Sequence, residues 1–318
     1  MPSLQSRILN PLSIGILIAA LSITVRSQLT TAGTWSATAA DKYEVFSNLS
    51  YRTVGLHKLT LDMYVPYQVA EHSPTLIWFH GGGWTRSSKE TEMLYILPYL
   101  EAGWIVANVE YRLASVERAP AAVEDCQCAV RWIASSAAAY KVDPEKLVVS
   151  GTSAGGHLAL ATAILPGADF TDCGKHPYKI AAVINWFGPS DVLDLIEGSN
   201  SFDQAIDWIG NRSDRREVSE SVSPIRYVRK GLPPIITIHG DRDKLIPYAQ
   251  SIKLHAALTR AGVSNRLVTV RGGGHGEFDS NQTLGAYREI RNFLISNRVR
   301  LTPDKRVRGP KDSSKLIR

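Results

Sequence analysis

Seven short stretches of the chain are almost wholly apolar and rich in β-branched and aromatic residues. They are 59–65 (LTLDMYV), 75–79 (TLIWF), 104–109 (WIVANV), 146–150 (KLVVS), 180–187 (IAAVINWF), 234–239 (PIITIH) and 266–270 (RLVTV). Near-continuous apolar runs of this length predict strands buried on both faces. A weaker strand is predicted near 43–50. Helix-compatible stretches lie between them, at 120–139, 154–164, 247–262 and 280–297. The first begins at Pro120, a residue favoured at the first helical position. Strands alternating with helices predict an α/β fold, a mostly parallel eight-stranded sheet flanked by helices. Residues 165–230 break the alternation with polar runs such as DRRE at 214–217 and a single clear strand. They are expected to form a small lid or cap over the sheet edge. No linker divides the domain expected over 43–297.

Composition changes little in this picture. With 318 residues, 44% hydrophobic and 21% charged, the chain suits one large α/β domain. The formal charge of +6 is local: residues 298–318 hold eight Lys/Arg against two Asp, so the remainder is neutral. That stretch is expected to be a disordered basic tail, and no nucleic-acid partner is expected. At the other end Arg7 precedes eighteen uncharged residues, Ile8–Val25, with Arg26 closing the run. A basic start and a short apolar stretch predict a signal peptide over 1–27, a polar lead-in over 28–42, and export with no stable membrane span after cleavage. An uncleaved N-terminus tethering the protein to a membrane is the alternative. Cys126, Cys128 and Cys173 have no metal-ligand spacing. Cys126 and Cys128 sit two apart in a predicted helix and so face different ways. A bridge to Cys173 and three unpaired thiols both remain open. No metal or organic cofactor is expected, and no oligomeric state follows.

The chemistry is concentrated where strand 146–150 ends. Gly151-Thr152-Ser153-Ala154-Gly155 places a serine between two glycines just before a small-residue helix. A strand turning at once into a helix brings the residues flanking its apex together, and glycine avoids the clash. The apex serine then stands exposed at the carboxyl ends of the strands, near the helix's free N–H groups. A serine hydroxyl needs an adjacent base, and the base an orienting acid. In this strand-turn-helix context the acid precedes the histidine along the chain. His275, in RGGGHGEF, sits in a glycine-rich loop that can aim an imidazole. His255 falls within a helical pattern, His176 in the irregular excursion, and His239 at a strand end suited to a structural role. Both Asp241 and Asp243 follow the strand PIITIH, and spacing leaves them open. After TLIWF comes His80-Gly81-Gly82-Gly83-Trp84. Glycines there can turn two N–H groups toward one atom. Gly82 and Gly83, with the N–H of Ala154, are the expected oxyanion donors, and Gly81 serves the bend. Trp84 is a candidate for the substrate pocket, or for packing at the sheet edge.

With these parts in order, the chain resembles the α/β-hydrolase esterases and lipases related to hormone-sensitive lipase and to the bacterial feruloyl/acetyl (BD-FAE-like) esterases. The resemblance rests on LIWFHGGGW, VEYRLA at 109–114, PAAVEDCQCAVRWI at 120–133, VVSGTSAGG, NWFGPSD at 185–191, ITIHGDRDKLIP and GGGHGEF. In that group the acid stands third after the glycine of HGxxD, which implies Asp243. The group often continues YRLA with Pro-Glu, where this chain has Ser115-Val116. The resemblance implies a serine hydrolase with Ser153, His275 and Asp243 as triad, acting on small carboxylic esters of short-chain, acetyl or feruloyl type. An amidase of the kynurenine-formamidase type, which shares an HGGxW loop, is the alternative, as is a silent binding protein on the same fold.

Overall fold

The computed structural model describes residues 41–69, 74–167 and 173–299. The expected signal peptide, nearly all of the lead-in and residues 300–318 of the basic tail lie outside them. Contacts divide the chain into residues 1–43 and residues 44–318, and apart from Tyr43 the sheet and helices belong to the second unit. The strands are β1 (Tyr43–Val54), β2 (His57–Pro66), β3 (Thr75–Phe79), β4 (Ile105–Val109), β5 (Leu147–Thr152), β6 (Ile180–Trp186), β7 (Ile235–Gly240) and β8 (Asn265–Val270). They form an eight-stranded sheet in the order β1-β2-β4-β3-β5-β6-β7-β8. β2 pairs antiparallel with β4, and the pairs from β4 through to β8 are parallel. The parallel registers put Phe79 beside Gly151 and Thr152 beside Trp186. The carboxyl ends of β3, β5 and β6 therefore finish level, and the loops leaving them share one edge.

The helices are α1 (Met93–Glu101), α2 (Ala121–Ser135), α3 (Ala154–Ile164), α4 (Asp203–Ile209), α5 (Arg215–Ser221), α6 (Tyr248–Arg260) and α7 (Ser280–Ser296). Successive strand side chains point to opposite faces. In β3, Ile77 and Phe79 join a core with Leu158 of α3, Val130 of α2 and Leu254 of α6. Leu76 and Trp78 join the other, with Ile96 of α1 and Phe293 of α7. Both faces being covered explains why the strands read as continuous apolar runs.

Several boundaries differ from the sequence expectation. β1 extends to Val54, and Gly55-Leu56 turns it into β2. α2 begins at Ala121, with Pro120 at the cap position, and stops at Ser135 rather than 139. Helix α1 was not expected: MLYILPYLE is apolar on most sides and carries Pro98 inside it. Residues 165–230 are not one excursion, because β6 lies within them, in the sheet between β5 and β7. The stretch after β6 holds α4, α5 and three 3₁₀ turns. Val299, assigned to the tail, is 4% exposed and packs into the core covered by α7. Cys128 and Cys173 form a disulfide, while Cys126, on another side of α2, is buried and free.

Candidate active site

β5 delivers Ser153 to the sheet edge at φ 51°, ψ −118°, outside the regions a serine ordinarily adopts. The residues two places to either side of it must be glycine. A Cβ on Gly151 would fall 2.2 Å from Phe79 O and 2.6 Å from the carbonyl carbon of Gly155, and one on Gly155 would fall 2.0 Å from Phe79 O. Ser153 N–H donates to Trp186 O at 2.8 Å, and His157 N–H to Ser153 O at 3.0 Å, which opens α3.

Two loops converge on that serine. His275, in the loop after β8, has Nε2 2.8 Å from Ser153 Oγ and Nδ1 2.7 Å from Asp243 Oδ2. Asp243 is held from four directions. Its Oδ1 accepts the N–H groups of Leu245 (2.8 Å) and Ile246 (2.9 Å), and its Oδ2 also lies 3.0 Å from His239 Nε2. Burial alone would raise this carboxyl, but the bonds from His239 and His275, the charge of His275 and the Ile246 N–H hold it well below the usual carboxylate range. Asp241 points elsewhere: its Oδ1 accepts the Gly272 N–H at 2.7 Å and ties the β7 and β8 loops together. Among the other histidines, His255 is buried on α6 against Asn265, and His176 is bonded only locally, to Pro177 O. His239, at the strand end, holds Asp243 from Nε2 and lies 2.7 Å from Ser251 Oγ through Nδ1.

Gly82 and Gly83 form the turn above the serine, at φ 105° and 62°. At Gly82 any side chain is excluded, since its Cβ would meet Arg86 O at 2.1 Å. The Gly81 N–H is not available to a ligand, because it donates to Glu92 Oε1 at 3.0 Å. This agrees with Gly81 serving the bend. Ala154 is the first residue of α3, so its N–H has no intrahelical acceptor. Tyr111, of the motif VEYRLA, supports the loop from below: its ring stacks on His80 at 4.2 Å and its hydroxyl donates to His80 O at 2.8 Å.

Trp84 does not reach the cleft. It is 1% exposed, stacks on Trp208 of α4 at 4.4 Å, and donates from Nε1 to His157 Nδ1 at 3.2 Å. The turn at Gly82-Gly83 sends its ring down into the core, so the packing reading of Trp84 replaces the pocket reading. His157 in turn donates from Nε2 to Val222 O at 2.7 Å, and burial lowers its pKa to about 4 against a raising effect of that bond. Between pH 6.5 and 4 the unfolded chain therefore takes a proton that the folded chain refuses. Stability is fully present above 6.5 and declines toward pH 4, by on the order of 3 kcal/mol from this residue. Urea midpoints measured across that window should fall more steeply for the wild type than for His157→Gln. Equal slopes would remove His157 as the cause.

The cleft beside Ser153 has a volume of about 230 Å³, with Tyr95, Phe187, Phe202 and Leu245 among its walls. Phe187 adopts φ 43° and sets its ring edge-on to His275, centroids 4.8 Å apart. Sequence reasoning missed Phe202, which lies in no motif, and Leu245, which lies in ITIHGDRDKLIP but was not singled out there. It also missed Glu92, which sits in KETE, a run that reads as solvated surface. Among the described residues no group of three or more His, Cys, Asp or Glu could hold a metal ion, and no helix is long and apolar enough to cross a membrane.

A serine at a strand-turn-helix corner on a sheet of this order, with Asp243 after β7 and His275 after β8 brought against it, defines an α/β-hydrolase. Within that class the chain belongs to the BD-FAE family, whose model matches residues 61–258. It is 29% identical over 226 residues to the esterase LipQ and 31% identical over 218 residues to the esterase LipC, both of Mycobacterium tuberculosis. Those matches take in 67% and 64% of this chain but only 52% and 53% of the two esterases, so the chain spans about half the length of these relatives. The esterase Est2 of the planctomycete Thermogutta terrifontis, solved with propionate bound, superposes with a TM-score of 0.69 at 26% identity, over 82% of this chain and 96% of that one. A truncated carbohydrate esterase from gut microbiota superposes with a TM-score of 0.64 at 28% identity, over 81% and 97%.

Proposed function

We propose that the protein is a serine esterase that hydrolyses small carboxylic esters through an acyl-enzyme. The observation that carries this reading is the relay from Ser153 Oγ through His275 to Asp243, with successive contacts of 2.8 and 2.7 Å. His275 Nε2 takes the Ser153 proton as Oγ bonds to the ester carbonyl carbon. The negative charge that gathers on the carbonyl oxygen is met by the N–H groups of Gly82, Gly83 and Ala154. The C–O bond to the alcohol breaks, and His275 returns its proton to the leaving alkoxide. Water then attacks the acyl-enzyme by the same route and releases the acid. Asp243 keeps the His275 proton on Nδ1, so the Nε2 lone pair faces the serine.

The acyl group is short in this proposal. A cavity of about 230 Å³ is small beside the roughly 300–1,000 Å³ of sites that take drug-sized ligands. Est2 of T. terrifontis, similar over most of this chain, was solved with propionate and with butyrate. Hydrolysis of p-nitrophenyl esters from acetyl to decanoyl is the test. The expected kcat/KM is highest at two to four carbons, roughly, and falls beyond the length the cavity admits. A maximum at decanoyl would overturn the short-acyl reading. Failure on every ester with turnover of N-formylkynurenine would replace the esterase by an amidase.

Export belongs to the same proposal. The Cys128–Cys173 disulfide supports an oxidising compartment. The intact mass of the protein from extracellular or periplasmic fractions would show cleavage near Ser27, and a full-length, membrane-associated product would show a tether instead.

A further inference from the structure

Glu92 takes no part in the chemistry above, yet it faces the same cleft as Ser153. It lies where a 3₁₀ turn (Lys89–Glu92) meets α1, and its carboxylate accepts from three separate elements. Oε1 takes the Gly81 N–H at 3.0 Å and the Thr152 hydroxyl at 2.5 Å, and Oε2 takes the Trp78 indole N–H at 3.1 Å. Trp78 lies near the end of β3. Gly81 opens the glycine turn whose next two residues carry the proposed oxyanion donors. Thr152 immediately precedes the nucleophile. One carboxylate therefore spans the two backbone segments whose spacing decides whether donors and nucleophile can act on one carbonyl.

We infer that Glu92 is a positioning residue for catalysis, clamping the glycine turn to the nucleophile elbow through Oε1 and so setting the oxyanion donors against Ser153. The inference rests on the serine-esterase reading. The physical reason is local. A glycine-rich turn has few side-chain contacts of its own, and its entropy is restrained only by what holds its N–H and C=O groups. Gly81 N–H has one acceptor here, and that acceptor also holds Thr152. A shift of the turn on the scale of 1 Å leaves substrate bound but misplaces the donors, a fault that appears in the transition state. Neither the glycine motif nor the serine motif encodes this contact, since Glu92 lies eleven residues from Gly81 and sixty from Thr152.

The test compares Glu92→Ala and Glu92→Gln with the wild type, each normalised by titrating active serine with a p-nitrophenyl phosphonate. Glutamine retains an acceptor oxygen for Gly81 and Thr152, but turns its NH₂ group toward the Trp78 indole N–H that Oε2 now accepts. Alanine removes that oxygen. For Glu92→Ala, kcat per titrated site on p-nitrophenyl acetate should fall ~10²-fold with KM little changed. The affinity for a trifluoromethyl ketone, which forms the tetrahedral adduct, should weaken by a similar factor. Glu92→Gln should recover part of both losses, because the clamp through the Oε1 position is restored while the Trp78 N–H is left without its acceptor. The inference is overturned if Glu92→Ala lowers the titre of active sites and leaves kcat per site intact, for then Glu92 serves only folding. Equal impairment of the two variants also overturns it. A wild type that neither titrates nor hydrolyses esters removes the serine-esterase reading itself, which the titration separates from the other outcomes.

Discussion

Ser153→Ala should abolish ester hydrolysis, lowering kcat on p-nitrophenyl acetate by about 10⁵–10⁶-fold, to near the uncatalysed background. The size follows from what the hydroxyl does. It supplies the atom that bonds to the carbonyl, so without it neither His275 nor the oxyanion donors have a covalent step to assist. The substitution leaves the fold alone. Ser153 already holds φ 51°, ψ −118°, a conformation no worse for alanine, and its Oγ bonds only to His275 Nε2 among the described residues. The glycines that make the corner remain. Melting temperature and far-UV circular dichroism should therefore match the wild type. If a well-folded Ser153→Ala variant kept more than about a hundredth of the activity, the nucleophile would lie elsewhere. His275 would then have lost the partner that its geometry implies.

Much of this site was legible in the sequence because backbone constraints wrote it there. Gly151 and Gly155 are required because a Cβ on either would fall 2.2 or 2.0 Å from Phe79 O at the end of β3, a demand that only glycine meets and that shows in the sequence without coordinates. Chain order then narrowed the histidine. The acid was different. Asp241 and Asp243 follow the same strand, and resemblance rather than spacing chose between them. In the structure one carboxylate faces the Gly272 N–H and the other His275, a difference that arises in two residues of turn. Glu92 left no trace, because a carboxylate in a charged run looks solvated until three elements fold around it. Trp84 was ambiguous for the opposite reason. A tryptophan beside a glycine turn can point either way, and stacking on Trp208, over a hundred residues distant, decides it. Helices α4 and α5 are short, and neither carries a side-chain N-cap bond, so little local signal marks them.

Asp243→Asn should lower kcat by ~10⁴-fold while leaving the architecture of the site in place. The four bonds of Asp243 explain why a nearly isosteric change is so costly. The two backbone N–H groups of Leu245 and Ile246 demand an acceptor at Oδ1, so the asparagine oxygen must sit there. Its NH₂ group then occupies the Oδ2 position, facing His275 Nδ1 and His239 Nε2. Both histidines must now present a lone pair to it. His239 can comply by placing its proton on Nδ1 toward Ser251 Oγ, giving up its Nε2 bond to the Ile246 carbonyl. His275 can comply only by carrying its proton on Nε2, the nitrogen that must take the proton from Ser153. The base is lost through a change of tautomer, and the charge that would stabilise the imidazolium goes with it. KM should change little, since Asp243 makes no contact with substrate in this mechanism. Asp241→Asn is the matched control. Its side-chain oxygen still accepts the Gly272 N–H, so activity should stay within a few-fold of wild type. Kinetics on both variants decide between the two carboxylates. If Asp241→Asn were the inactive one, the relay through Oδ2 of Asp243 would not be the path by which His275 is oriented.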